Sequence, residues 1–472
     1  MRFVRFYDGH GRLQTKHVPE QQADPNIAGS TDHTTWIYNN DDTAATLTDA
    51  RGVTSTFGYN GRHLVTSINY PPSLPSGVSP TANVAFGYDA AGNRTSMSDG
   101  SGSATYNYNQ LSQMTSETRQ FSGLAGSYTL AYEYALSGAV KKVTDQYTNT
   151  SFTTSFDSVG RVSGVSTVGY GGAVTQFASN THYRAWGGLK SMAYGNNTSI
   201  SLGYNSREAN TTYSLSGANY SGSTPMPVAS SYQYYNDGRL KFGQDQGVSN
   251  SITDRAYQYD HEGRLQEAYS GSEARDFINS TNSGTPTGPY RQSFSYDAWN
   301  NSLSSGGRFW SRTDVVTASF NQSNRNPNWS YDAEGNVTNR NQTLGNVMSP
   351  TYDYDAAGRQ TNLKQMRSCW QEPQHLFNLH IYTNSQTYDG DGQVTRYLQE
   401  HQIGLNGSQV SGWPVTTYYL RSTVLGGRVI SQYQGSGGTS EWNGTYVYAG
   451  GQRIGLLSKL GGGAARNFLA RG

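Results

Sequence analysis

The stretch Tyr257-Gln258-Tyr259-Asp260-His261-Glu262-Gly263-Arg264-Leu265 reads as a strand, a tight turn and the start of a second strand. Tyr257 and Tyr259 sit two apart, so on an extended backbone both rings leave one face while Gln258 leaves the other. Asp260 can accept a hydrogen bond from the backbone two residues on, and Gly263 can take the positive φ that closes a hairpin at little steric cost. Arg264 and Leu265 then open the return strand.

The same phrase recurs at Tyr7-Asp8 to Gly11-Arg12, Tyr88-Asp89 to Gly92-Asn93, Phe156-Asp157 to Gly160-Arg161, Tyr331-Asp332 to Gly335-Asn336, Tyr354-Asp355 to Gly358-Arg359 and Tyr388-Asp389 to Gly392-Gln393. Degraded copies fill the gaps, among them Tyr59-Asn60-Gly61-Arg62, Tyr108-Asn109, Tyr204-Asn205, Tyr234 to Gly238-Arg239 and Tyr296-Asp297 to Asn300. The intervals scatter around roughly 20–35 residues, which marks an array of one supersecondary unit. The residues that carry it are structural: the tyrosine fills an aromatic ladder, the aspartate closes the turn and the glycine permits it.

A long array of Tyr-Asp-x-x-Gly-Arg resembles the YD repeat of the Rhs family, whose relatives include teneurins and the C component of ABC-type insecticidal toxins. The resemblance covers residues 1–455. It implies an all-β fold in which a strip of hairpins spirals into a hollow shell or part of one. In bacterial Rhs-type polymorphic toxins that shell encloses a C-terminal toxin domain, released by cleavage in an Asp-Pro-rich segment after the repeats. The one Asp-Pro here is Asp24-Pro25, at the opposite end, so neither the cleavage nor the toxin is assigned to this chain.

Physical arguments lead to a curled strip as well. About fifteen hairpins of two strands at ~4.8 Å extend roughly 140 Å along the hydrogen-bonding direction. Open twisted sheets rarely exceed about ten strands without curling or splitting. Hydrophobic residues are 34% of the chain, too few aliphatics for a second covering layer. The 36 Tyr, 15 Phe and 8 Trp at a formal charge of +1 argue against disorder, which is poor in aromatics and rich in net charge.

The near-neutral charge, without a basic tail or Lys/Arg cluster, removes the footprint of a nucleic-acid binder. A single Cys369 forms no internal disulfide, and no apolar run reaches membrane-span length. The start lacks the apolar core of a signal peptide, so a secreted or cell-surface location is expected through some other signal, and the chain is expected to be a fragment of a longer protein. Residues 363–385 break the pattern: Leu363, Met366 and Trp370, then Leu376, Phe377 and Leu379, are spaced as on short helical turns, with Pro373 between them. Residues 456–472 show no strand pattern and are expected to be unstructured.

Catalytic signatures are missing: there is no Gly-x-Ser-x-Gly elbow, His-Glu-x-x-His pair or phosphate-binding loop. The repeated aspartates sit at identical turn positions, unlike the two carboxylates of a glycosidase. Cys369, His375 and His380 would need a further donor to hold zinc, and Asp389-Gly390-Asp391-Gly392 lacks the glycine of a calcium loop. No cofactor is expected. The reading is a non-enzymatic shell segment with a toxin cargo domain as partner. The alternative is a cell-surface adhesion or carbohydrate-binding repeat module, with exposed Tyr and Trp stacking on glycans.

Overall fold

The computed structural model describes residues 3–169, 174–217, 228–246, 252–341, 349–371, 376–405, 408–411, 414–436, 439–460 and 463–468. These residues form 38 strands and one helix. The opening phrase folds as Arg255–Tyr259 and Leu265–Ser270 joined by a turn, and neighbours follow in antiparallel succession along the chain. A 25-stranded sheet runs from Val4–Tyr7 to Arg312–Thr317, and a 13-stranded sheet from Ser330–Tyr331 to Gly463–Phe468. The second sheet also takes in Val78–Ser79, which pairs parallel with Thr351–Asp355.

Every Tyr-Asp hairpin carries the same irregularity. In the pairing of Arg255–Tyr259 with Leu265–Ser270, Gln258 faces Glu267 but Tyr259 faces Leu265, so one residue of the return strand is skipped. The shift recurs immediately before Tyr7, Tyr88, Phe156, Tyr331, Tyr354 and Tyr388. A β-bulge bends its strand and adds right-handed twist. Because it sits at the same place in each hairpin, always beside the same rim, the bends add in one direction and the strip curls.

The curl brings the strip back onto itself. Glu334 accepts a hydrogen bond from the Ala50 amide, Arg51 donates to the Asp355 carbonyl, Gly390 donates to Asp99, and Thr423 donates to Glu117, pairs separated by 284, 304, 291 and 306 residues. From Arg51 to Asp355 the chain lays down about 24 strands, which at ~4.8 Å is roughly 115 Å of wall and a loop roughly 37 Å across. The second sheet is therefore the beginning of a second turn, seated on the first. The accessible surface is 25410 Å², against roughly 17,000 Å² for a compact monomer of this 51.5 kDa mass. A one-layer wall with both faces reaching solvent accounts for the excess.

The main core lies at that overlap. Phe121, Leu124, Tyr128, Leu130, Phe152 and Phe177 of the first turn pack with Tyr418, Leu420, Tyr433, Trp442 and Leu457 of the second. Rings of Tyr128 and Tyr433 lie 4.5 Å apart, and Phe121 and Tyr418 5.4 Å apart.

Two expectations fail. Among the described residues of 363–385 there are no helical turns: Gln360–Gln371 and Leu376–Tyr388 are long paired strands, with Met366 opposite Ile381. Pairing to neighbours on both sides outweighs the helix-like spacing of a few apolar residues. The tail expected to be unstructured from residue 456 is strand in its described residues, 456–460 and 463–468. Gln452–Leu460 continues the sheet and Gly463–Phe468 adds its last strand, the backbone pairing being satisfied by a preceding strand whatever the side chains. The one helix, Ser272–Asn279, was not anticipated; its Phe277 stacks on Tyr269 at 4.9 Å.

Candidate functional site

The repeated residues do not converge on a pocket. Successive hairpins place every Tyr-Asp turn along one rim of the strip, and each turn is tied both within itself and to its neighbour. In the Asp260 turn, the Gly263 amide donates to the Asp260 carbonyl at 3.0 Å, and the Asp260 amide to the Arg264 carbonyl at 2.9 Å. Asp260 Oδ1 accepts from the amides of Glu262 and Arg264, at 3.0 and 2.9 Å, and Oδ2 from Arg264 Nε at 2.7 Å. Gly263 holds φ of 86°, in the left-handed region that side chains disfavour.

Asp8, Asp157 and Asp355 repeat this clamp with Arg12, Arg161 and Arg359. Asp89 and Asp332 receive Asn93 and Asn336 instead. Asp389 takes the backbone amides of Asp391 and Gln393. The degraded turns keep the geometry with asparagine: Asn60, Asn109 and Asn205 each accept two turn amides. Where glycine is missing, His63, Ser112 and Glu208 take φ of 61°, 57° and 63°.

The tyrosine does more than fill a ladder. Tyr259 donates its hydroxyl to the Leu240 carbonyl, at the start of the preceding hairpin's return strand, at 3.0 Å. Tyr88 reaches Val65, Tyr354 reaches Val337, and Tyr388 reaches Gln360 in the same way. Tyr296 reaches Leu265, and Tyr59, Tyr108, Tyr134 and Tyr204 do likewise in degraded copies. Phe156 has no hydroxyl to offer, and the Tyr331 hydroxyl instead accepts from the Asn326 amide, at the junction between the two sheets.

Arginine bridges in the opposite direction. Arg264 lies 4.9 Å over the Tyr296 ring of the next hairpin and donates to the Asp297 carbonyl at 2.8 Å. Arg12 over Tyr38, Arg161 over Tyr183, Arg239 over Tyr259 and Arg359 over Tyr388 all stand at 4.7 Å. Where the arginine is present, one guanidinium holds the repeat's own aspartate and lies over the next ring, and Arg12, Arg264 and Arg359 also donate to a carbonyl of the next turn. The only sequence signal for this was the arginine's recurrence four residues after the aspartate.

The rim of the second turn has a further job, because it forms the seam. Glu334, two residues after Asp332, accepts from both Ala50 and the Gln21 side chain. Asp391, two residues after Asp389, pairs with Arg94 through two bonds of 2.7 Å. Asp355 and Asp389 are accordingly buried. A Cβ built on Gly335 would stand 2.7 Å from Glu20 Cβ and 2.8 Å from the Glu20 carbonyl oxygen, so this glycine serves close approach as well as turn geometry. A cavity of about 230 Å³ remains beside Asp389, lined by Tyr106, Glu117, Arg119 and Arg421.

The two sets of carboxylates feel opposite fields. Partial desolvation pushes Asp260 up, but the hydrogen bonds from the Arg264 side chain and backbone outweigh it and hold the carboxyl below its usual range. Asp8, Asp89 and Asp157 are lowered as well. At the seam, burial pushes Glu117, Asp145, Glu334 and Asp389 upward, against the hydrogen bonds each accepts. Among the described residues no group of three or more His, Cys, Asp and Glu is arranged to hold a metal ion. His375 and the Cys369 side chain lie outside the described residues.

No protein-family model matches the sequence, and no curated protein matches it. Solved structures do match. The crystal structure of TcdB2-TccC3-TEV aligns with a TM-score of 0.58 at 12% identity, over 94% of this chain and 24% of that one. The chain has the fold of a stretch of a Tc toxin complex. TcdB2-TccC3 without its hypervariable C-terminal region gives 0.58 at 13% identity, over 94% and 24%. The Tc holotoxin pore of Photorhabdus luminescens gives 0.57 at 13%, over 94% and 26%. The chain thus spans about a quarter of the length of the structures it resembles.

Proposed function

We propose that this chain is a segment of the wall of a toxin shell, related to the Rhs repeats and working by enclosure rather than catalysis. The observation that carries the reading is the seam: a one-layer strip returns after 284–313 residues and joins itself by Glu334, Arg51, Gly390 and Thr423. A ribbon that only displayed binding sites would need no such closure. The likeness to TcdB2-TccC3 supports the toxin assignment, and the repeated Tyr-Asp-Gly-Arg turns support the Rhs relation.

The enclosed partner would be a toxin domain carried by other parts of a longer protein or assembly, exported to the cell surface or beyond. The wall itself needs no cofactor for that work. Small-angle X-ray scattering on the purified chain at several concentrations tests the reading. A pair-distance distribution with a depleted centre and a maximum dimension well below 140 Å is expected. A rod-like profile would overturn it and favour an open array that binds glycans or proteins along its faces.

A further inference from the structure

Three long strands extend beyond the general height of the wall: Gln360–Gln371, Leu376–Tyr388 and Val394–Leu405, of 12, 13 and 12 residues. Most hairpins use strands of five to seven, so these rise roughly 20 Å further at ~3.4 Å per residue. On this extension His380 and His401 stand on adjacent strands, with Tyr382 directly opposite His401. The His380 Nδ1 and His401 Nε2 atoms are 2.9 Å apart, the two rings are inclined by 18°, and Tyr382 stacks on His401 at 4.4 Å.

We propose that His380 and His401 form a two-histidine chelate for a divalent copper-type ion. Imidazole nitrogen binds divalent metals at about 2.0–2.1 Å. Two such bonds spanning 2.9 Å subtend an angle of about 90°, the angle between adjacent corners of a square or octahedron. Tetrahedral zinc would set the nitrogens near 3.4 Å, which is why copper fits better. Both residues are half-buried, leaving the remaining corners to solvent.

Without metal, the two nitrogens share one N–H···N hydrogen bond, so one of them carries a proton. Metal binding moves that proton to the outer nitrogen of the same ring and turns each lone pair about 45° off the line joining the nitrogens. No electron is transferred and no net proton need be released. The competing explanation is plain: the pair is one rung of a stacked aromatic ladder stiffening the extension. That explanation gives the two nitrogens no role beyond their mutual bond.

The test uses the metal-free full chain, without a histidine tag, and copper(II) chloride alone. Electron paramagnetic resonance at one equivalent is expected to show coupling to two histidine nitrogens. His380→Gln and His401→Gln are each expected to weaken the first equivalent by tenfold or more, with unchanged circular dichroism. His261→Gln, at an exposed turn histidine beside Glu262, is expected to leave it unaltered. Coupling to a single nitrogen in the unmodified protein would overturn the proposal even if the variants fail to fold. A first equivalent that survives either substitution would overturn it too.

Discussion

Alanine at Gly335 and at Gly160 separates the turn from the seam. Both glycines occupy the same motif position, with φ of 97° and 83°, so alanine at either should cost about 1–2 kcal/mol for the left-handed backbone. A Cβ at Gly160 meets nothing within 4 Å, whereas one at Gly335 meets the Glu20 backbone at 2.8 Å. Forcing an extra methyl into a packed contact adds about 1–3 kcal/mol. Gly335→Ala should therefore destabilise by about 2–5 kcal/mol and Gly160→Ala by about 1–2 kcal/mol. Because repeat arrays open locally, the informative assay is hydrogen exchange read by mass spectrometry. Gly335→Ala should accelerate exchange at its own turn and also near Gln22 and Ala50, whose amides are held by Ala333 and Glu334. Gly160→Ala should act only on its own hairpin and immediate neighbours. Equal costs at the two sites, or no remote acceleration in Gly335→Ala, would refute the seam.

Three further outcomes are expected. Tyr388→Phe removes the bond to the Gln360 carbonyl while keeping the ring under Arg359, and should cost about 0.5–1.5 kcal/mol in denaturant unfolding. Asp391→Asn breaks a pair whose carboxylate is 40% exposed, so it should cost under about 1 kcal/mol and less in high salt. The pH response should split in two. Seam carboxyls raised by burial, such as Glu117 and Glu334, bind protons more readily folded than unfolded. Their contribution is greatest in acid and is lost as pH rises from the ordinary carboxylate range through the raised values. Rim aspartates held low, such as Asp157 and Asp260, contribute above the ordinary range and lose it as pH falls toward their depressed values. After correction for intrinsic rates, exchange at the Thr423 amide, held by Glu117, should slow as pH falls toward the ordinary carboxylate range. The Arg264 amide should loosen only in stronger acid.

Hairpin placement was legible because the information is local: tyrosine two residues from another aromatic, then an acid and a left-handed glycine, leave little else for the backbone to do. The bonds between hairpins were not. Side-chain alternation places Tyr259 on a face, but nothing in the sequence says that its hydroxyl reaches Leu240 or that Arg264 serves Asp260 and Tyr296 together. The seam was still less accessible, since Gln21 and Glu334 are 313 residues apart and carry no motif of their own. Leu363, Met366 and Trp370 misled because helical spacing of a few apolar residues says nothing about strands pairing on either side. Ser272–Asn279 was not legible although Ala274, Phe277 and Ile278 lie at helical spacing and pack together, because three apolar positions in eight residues are too short a stretch for the helical period to stand out.

The central claim is that the strip winds back on itself, and the distance between Ser98 and Gln393 tests it most directly. Nitroxide labels on Ser98→Cys and Gln393→Cys, with Cys369→Ser, would be measured by pulsed dipolar spectroscopy. Both positions are exposed and flank the bond from Gly390 to Asp99. A wound strip gives a narrow distribution centred at about 20 Å, from the reach of a few residues and the label arms. An unwound strip puts about 22 strands between them, roughly 105 Å at ~4.8 Å each, and would leave no measurable dipolar signal in that range.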